Sequence, residues 1–384
     1  MPAESAFAFQ SRDPARAAML ERMLSKNTAS YKYFWLKAIL TLIERGRTEA
    51  SFLEMGALMA AHAWDPVIFF KLRLGAADQT GVTIREAKAR LGLDDYARLE
   101  DAAEAVASGA SPEVAEQAEG LTRYVRRRFL SPCFEDVLRT IPDARRDAAI
   151  SRLSFANPDA GPYRIDEKAR MIRFSEGWVQ FFRENLPLVK GWLDFRLAKY
   201  LQARNPSVPA VVNKLSRPEE RNLTEAKKYW REAIRRGGVR EIYSGESFTE
   251  ENFSRFGPLS IDHFIPWRFV LHDEMWNLTP MFRDRNSAKS DRLPDLDHFL
   301  EPLCRQQFEA LSELRDTPFG RKALESFLAI DEDAAEELEA GTDRAFEAFS
   351  ASLGKTVRPL FEIASSLGFS AWDYAGNDRQ ASLF

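Results

Sequence analysis

The sequence predicts a mainly α protein with one small α+β insert. Three observations lead there. Apolar residues recur at helical spacing through most of the chain, with Gly and Pro marking the breaks. One stretch, from Leu259 to Pro294, instead reads strand, loop, strand, helix. Finally, 384 residues with 45% hydrophobic and 12% aromatic content describe a globular chain large enough for two or three cores.

Residues 14–75 read as helical. YKYFWLKAILTLIERG carries Phe34, Ile39, Leu42 and Ile43 on a helical period and ends at Gly46, and SFLEMGALMAAHAW extends the pattern to Trp64. Tyr31, Tyr33, Phe34 and Trp35 read as core, a ligand pocket being the alternative, and His62 reads as structural. Residues 82–118 give two amphipathic helices with a surface turn at SGASP. Arg126, Arg127 and Arg128 read as a solvated face, with phosphate contact as the alternative. ANPDAGPYRID looks like loop, and RMIRFSEGWVQFF like a strand followed by an aromatic helix. Residues 187–236 return to helix, broken by Pro206 and Pro209 and ending at Gly237 and Gly238. Beyond Pro294 the chain is helical and acidic to Leu367, DEDAAEELEA being its most charged portion. Four regions are expected: an N-terminal helical domain at 1–156, a mixed and then basic helical region at 157–246, the insert at 247–294, and an acidic helical region at 295–384.

Composition narrows the class of function. No apolar run approaches the length of a membrane span, and MPAESAFAFQSRDPAR is not a secretory signal, so a cytoplasmic protein without a membrane role is expected. Cys133 and Cys304 are far apart and outside any CxxC arrangement, which supports neither a disulfide framework nor a zinc knuckle. A net charge of −4 argues at first against a nucleic-acid partner, but the charge is polarised. Between Arg196 and Arg240 twelve Lys and Arg face four Glu, whereas between Asp295 and Ser350 fifteen acids face five bases. The basic part lies directly before the insert.

Within the insert, LSIDHFIPWRFVLHDEMWNLTPMFRDRNSAKSDRLP carries Asp262 and His263 within a first apolar run, Leu259 to Ile265, Asn277 on a second, Trp276 to Phe282, and Asn286 and Lys289 on the following helix, Asp284 to Arg292. These residues in this order resemble the HNH, or ββα-metal (His-Me finger), nuclease motif, and RDRNSAKSDRLP resembles the end of the HNH domain of RNA-guided CRISPR DNA endonucleases. The resemblance implies helical domains around a ββα-metal finger and a phosphodiester hydrolase. Under it, His263 is the candidate general base, because a neutral imidazole can take a proton from water near working pH. Asp262 and Asn286 are the candidate ligands of one divalent cation, Mg²⁺ or Mn²⁺, which prefers oxygen donors and keeps several waters. By the same resemblance Asn277 braces the loop that carries the His. Lys289, one helical turn after Asn286, is placed to approach the same phosphate. Some HNH proteins add a four-Cys zinc site. With two cysteines this chain is expected to hold no structural zinc. One tension remains: neighbouring strand residues point to opposite faces, so Asp262 and His263 share a site only if the strand bends or ends there.

His272, Asp273 and Glu274 between the strands read as a solvated loop, an extra metal ligand being the alternative. Nucleic-acid contacts are expected from Arg268, Arg283, Arg285 and Arg292 in the finger and from Lys227, Lys228, Arg231, Arg235 and Arg236 before it. An ordinary amphipathic helix would show the same basic and aromatic mixture. DNA is the expected partner, in a restriction or phage-defence setting by the same resemblance. An RNA-cleaving nuclease and a binding subunit whose nuclease needs a partner for activation are the alternatives, and a homo-oligomer stays open.

Overall fold

The computed structural model describes residues 13–25, 27–218, 221–331 and 345–374. Apart from Asp331, DEDAAEELEA lies outside the described residues, as does the N-terminal segment before Asp13. Two compact units form, one from Met1–Pro206 with Val211–Arg217 and the other from Ser207–Ala210 with Pro218–Phe384. Among the described residues helices dominate both, the sheets being one of three strands and one of two, so the mainly α reading holds. No helix among the described residues is long and apolar enough to cross a membrane.

The first unit runs α1 (Pro14–Met23), α2 (Tyr31–Glu44), β1 (Glu49–Ser51), α3 (Phe52–Trp64), α4 (Thr80–Leu91), α5 (Leu99–Ala107), α6 (Pro112–Arg128), α7 (Glu135–Leu138), α8 (Asp143–Ala156), β2 (Tyr163–Asp166), β3 (Met171–Phe174), α9 (Glu176–Glu184) and α10 (Leu186–Gln202). Its core is aromatic. Trp35, fully buried, donates from Nε1 to the Tyr163 hydroxyl at 2.9 Å, which in turn donates to the Arg126 carbonyl at 2.8 Å. Rings of this size gain most from burial, and losing one costs about 3–5 kcal/mol. The apolar period of α3 lays it against α6 so closely that a Cβ on Gly56 would stand 2.0 Å from the Ala118 carbonyl oxygen. Only glycine fits there.

Two expectations change here. Residues 14–75 are not helical throughout, because Glu49–Ser51 pairs antiparallel with Met171–Arg173, and the loop-like ANPDAGPYRID contains β2. Strands this short have no local signal. The partner of β1 lies more than a hundred residues away, and an Arg173–Glu49 ion pair at 3.0 Å ties the edge. Arg126 and Arg127 both meet Glu167, at 3.3 and 2.6 Å, and Arg128 meets Asp147 at 2.6 Å. The triple Arg is a set of ion pairs.

His62 is half-buried in this unit, its Nε2 at 2.8 Å from the Thr41 hydroxyl, and desolvation pushes its pKa well below 6.5. Above that pH both folded and unfolded chains hold it neutral. Below it the unfolded chain takes a proton that the folded one refuses, so stability declines with falling pH, by up to about 1.4 kcal/mol per pH unit. The melting temperature of His62→Gln is therefore expected to fall less steeply than that of the parent as pH drops below 6.5. Parallel curves from calorimetry would remove this role.

The second unit contains α11 (Thr224–Arg236), α12 (Glu250–Phe256), β4 (Leu259–His263), α13 (Trp267–Val270), β5 (Leu278–Phe282), α14 (Arg283–Lys289), α15 (Leu296–Leu314), α16 (Pro318–Leu328) and the helix Ala345–Ser366. β4 and β5 pair antiparallel with Ile261 opposite Pro280 and His263 opposite Leu278. Proline lacks the N–H of a ladder, and β5 tolerates it in a two-stranded sheet. Every residue of β5 is buried. α15 supplies part of that cover, with Gln307 Nε2 donating to the Leu278 carbonyl at 2.6 Å and Gln306 Oε1 accepting from the Thr279 hydroxyl at 2.6 Å.

Candidate active site

β4 stops at His263, and one side chain shapes the backbone beyond it. Asn277, fully buried, sits in a 3₁₀ turn immediately before β5 rather than on the strand itself. Its Oδ1 accepts from Ile265 N at 2.8 Å and its Nδ2 donates to the Ile265 carbonyl at 2.9 Å. Its own carbonyl accepts from Phe264 N at 2.9 Å. The Asn277 carbonyl and then its amide side chain thus continue the ladder for two residues past the strand end. Each of these buried groups left unpaired would cost about 1–3 kcal/mol.

Asp262 and His263 close β4, and each has its own set of partners. Asp262 is 3% exposed, and its carboxylate takes the Lys289 ammonium at 3.1 Å on Oδ1 and 3.0 Å on Oδ2. The Tyr243 hydroxyl donates to Oδ2 at 3.0 Å, and burial first, then the charge of Asp262, raises that phenol well above 10. Lys289 Nζ also donates to the His263 carbonyl at 2.8 Å, which ties the end of α14 to the end of β4. The structure therefore puts this ammonium, fully buried, on Asp262 and the backbone. A buried pair of this kind holds geometry, and removing one partner leaves a stranded charge.

The imidazole of His263 meets a different pair of side chains. Its Nε2 lies 2.8 Å from Asp273 Oδ1, and Arg221 Nη2 stands 3.0 Å from Nδ1 and 3.5 Å from Nε2, over the ring. A carboxylate can only accept, so in the neutral ring the proton is on Nε2 and the lone pair on Nδ1. Burial drives the His263 pKa below 6.5; the Asp273 hydrogen bond opposes this and the charge of Arg221 adds to it. Partial burial raises Asp273, but the hydrogen bond from His263 and the neighbouring cations hold it below the ordinary carboxylate value. Asp273 reaches the site because Leu271 turns the chain in the left-handed region, at φ 56°.

Asn286 on α14 donates from Nδ2 to the Ser260 hydroxyl at 2.6 Å and to the Ile261 carbonyl at 3.2 Å. A carbonyl can only accept, so the amide is oriented with Nδ2 toward β4 and Oδ1 turned from it. A carboxylate accepts about four hydrogen bonds, and Asp262 uses three, which leaves room on Oδ1. Carboxylate and carboxamide oxygens are the donor types that a hard, hydrated divalent cation takes, and here the carboxylate already carries the Lys289 ammonium. Among the described residues no three His, Cys, Asp or Glu side chains gather as a metal cluster.

The expected nucleic-acid contacts divide. Lys227, Lys228, Arg231, Arg235 and Arg236 stand exposed on α11, whose other face buries Ala226, Tyr229, Trp230 and Ala233. Glu225 and Glu232 partly neutralise that surface, through pairs to Lys228 at 2.8 Å and Arg235 at 2.6 Å. Arg283 is exposed. Arg268 is 5% exposed and pairs with Asp291, Arg285 pairs with buried Glu241 at 3.2 Å while covering Phe256, and Arg292 donates to the Ala288 and Lys289 carbonyls. Those three hold the finger together.

Sequence reasoning did not find Arg221, Tyr243 or Glu241. Nothing local marks them, since they precede the finger and reach it through folding. Asp273 was visible as a loop acid, and the structure places it on His263, while Glu274 takes the Ser326 hydroxyl. His272 packs its ring against Trp276.

Residues 241–295 match the family model of the HNH endonuclease. No curated protein and no solved structure matches the chain. The matched span begins at the buried Glu241 and takes in Tyr243, both strands and α14, the elements that surround Asp262 and His263. The stretch from Glu241 to Asp295 belongs to the HNH endonuclease family, nucleases that act on nucleic acids.

Proposed function

We propose that this protein is a divalent-cation-dependent endonuclease that hydrolyses phosphodiester bonds in DNA, with His263 as general base. The observation that carries the reading is the state of that imidazole: neutral by burial, with its proton held on Nε2 by Asp273 and its lone pair on Nδ1. A base must accept a proton at working pH, and this one is kept ready to do so. In the reaction a water O–H bond breaks and its proton goes to Nδ1. The hydroxide oxygen bonds phosphorus, the bond from phosphorus to the 3′ oxygen breaks, and the departing oxygen takes a proton from solvent. The products carry 5′-phosphate and 3′-hydroxyl ends.

HNH nucleases generally use a divalent metal ion. Asp262 and Asn286 would hold it here, and when bound it would neutralise phosphate charge and favour departure of the 3′ oxygen. Asn277 fixes the backbone beyond the base, and Lys289 keeps the Asp262 carboxylate in place. The exposed cations of α11, with Arg283, supply salt-sensitive contact to the phosphate backbone. DNA as the substrate and a role in restriction or phage defence follow from likeness of motif alone.

The test incubates the purified chain with duplex DNA and with structured RNA, in Mg²⁺, in Mn²⁺ and in EDTA. Cleavage of DNA that EDTA abolishes is the expected result. Cleavage of RNA alone replaces the substrate, and cleavage undiminished by EDTA removes the cation.

A further inference from the structure

β4 and α14, which carry Asp262, His263 and Asn286, both begin beside a cavity of about 460 Å³. It is lined by Arg231 and Ile234 of α11, Phe253 and Ser254 of α12, and Pro258 and Leu259. Ile234, Phe253 and Leu259 are half-buried, while Arg231, Ser254 and Pro258 stand exposed. Its volume falls among the roughly 300–1,000 Å³ of small-molecule sites. The Pro258 carbonyl accepts from Arg283 N at 3.0 Å, so the start of α14 adjoins the rim. His263 stands four residues along β4 from Leu259, about 13 Å at about 3.3 Å per residue. A stacked nucleic-acid strand covers that distance in about four steps. Charge then selects the occupant. Lys227, Arg231 and Arg235 recur every fourth residue and share one stripe of α11, with Ile234 beside them. Glu232 takes Arg235 at 2.6 Å, whereas Lys227 and Arg231 have no ion pair among the described residues. An apolar recess bordered by unneutralised cations suits a flat ring that carries an anion, and a nucleotide is such a group.

We propose that this cavity seats one unstacked base of the bound strand, a few nucleotides from the bond that is cut, with Arg231 on the phosphate of that nucleotide. A base inside a duplex is paired and stacked and cannot enter, so the favoured substrate carries unpaired nucleotides near the cut. Contact with a base face reads no hydrogen-bonding edge, so the seat takes any base. Two of the six lining residues, Arg231 and Ile234, lie outside the matched finger, so this chain supplies part of the seat from a separate helix. The inference rests on the reading of the site as a nuclease, but its test measures binding alone.

In EDTA, the full chain is titrated by fluorescence anisotropy against two labelled DNA duplexes, each interrupted by a short unpaired stretch. In one the unpaired nucleotides carry bases, and in the other they are abasic. The parent is expected to bind the base-bearing DNA about tenfold more tightly, as one stacked base allows. Ser254→Leu, which fills the cavity from an exposed position, is expected to abolish that difference, and so is Ile234→Asn, which alters the opposite wall. Circular dichroism checks that both variants are folded. Equal affinity of the parent for the two DNAs overturns the seat, and so does a difference undiminished in the folded variants. If the parent discriminates yet cuts neither DNA nor RNA with any cation, the seat stands and the nuclease reading fails. If it cuts paired DNA and does not discriminate, the nuclease reading stands and the seat fails.

Discussion

Substituting alanine for His263 is expected to slow phosphodiester cleavage by about 10²- to 10⁴-fold, the range that a positioned general base contributes, with duplex affinity retained. The two effects separate because the groups do. The imidazole is 5% exposed at the end of β4, whereas the cations of α11 stand in solvent on a helix of their own. The pH profile gives a second readout. Burial holds the His263 pKa below 6.5, so the accepting form persists below the pH at which a free imidazole would be half protonated. The parent rate is expected to stay level from mildly alkaline pH to below 6.5 and then to decline as Nδ1 is protonated, while His263→Ala loses that limb. Equal cleavage by parent and variant, with matching melting curves, would remove His263 from the mechanism.

Lys289→Met is expected to destabilise the second unit by about 3–5 kcal/mol, the usual effect of removing one partner of a buried ion pair. Asp262 is 3% exposed and Lys289 fully buried, so neither charge has water to fall back on. The Tyr243 hydroxyl remains on Oδ2 but carries no charge. Two further measurements identify the cause. The double variant Asp262→Asn, Lys289→Met removes both charges and is expected to recover much of the loss, because no stranded carboxylate remains. Mg²⁺ or Mn²⁺ is expected to raise the melting temperature of Lys289→Met more than that of the parent, and EDTA to cancel the gain, since a cation then meets an unpaired carboxylate. An unchanged melting temperature in Lys289→Met would show that the pair does not hold the finger.

Much of the finger was legible because its signals are local. The apolar runs from Leu259 to Ile265 and from Trp276 to Phe282 contain the two strands, and Asn286 and Lys289 are a helical turn apart, so strand, strand and helix follow from neighbouring residues. The helices of the first unit were legible for the same reason, through apolar periodicity and breaks such as Gly46 after α2. β1 and β2 were not, because each depends on pairing with β3 and has too few residues to show a period. Nor did spacing show that Arg268, Arg285 and Arg292 would turn from solvent to Asp291, Glu241 and backbone carbonyls.

The sequence alone determined which groups are present in the finger: an imidazole, a carboxylate, two carboxamides and an amine, in an order that carries the family. Tertiary structure decided what each of them touches. It set Lys289 on Asp262, Asp273 at the Nε2 edge of the imidazole and Arg221 over its ring, contacts spanning 27, 10 and 42 residues of chain. Protonation, orientation and access depend on burial and on partners brought from far along the chain, and a linear pattern records neither.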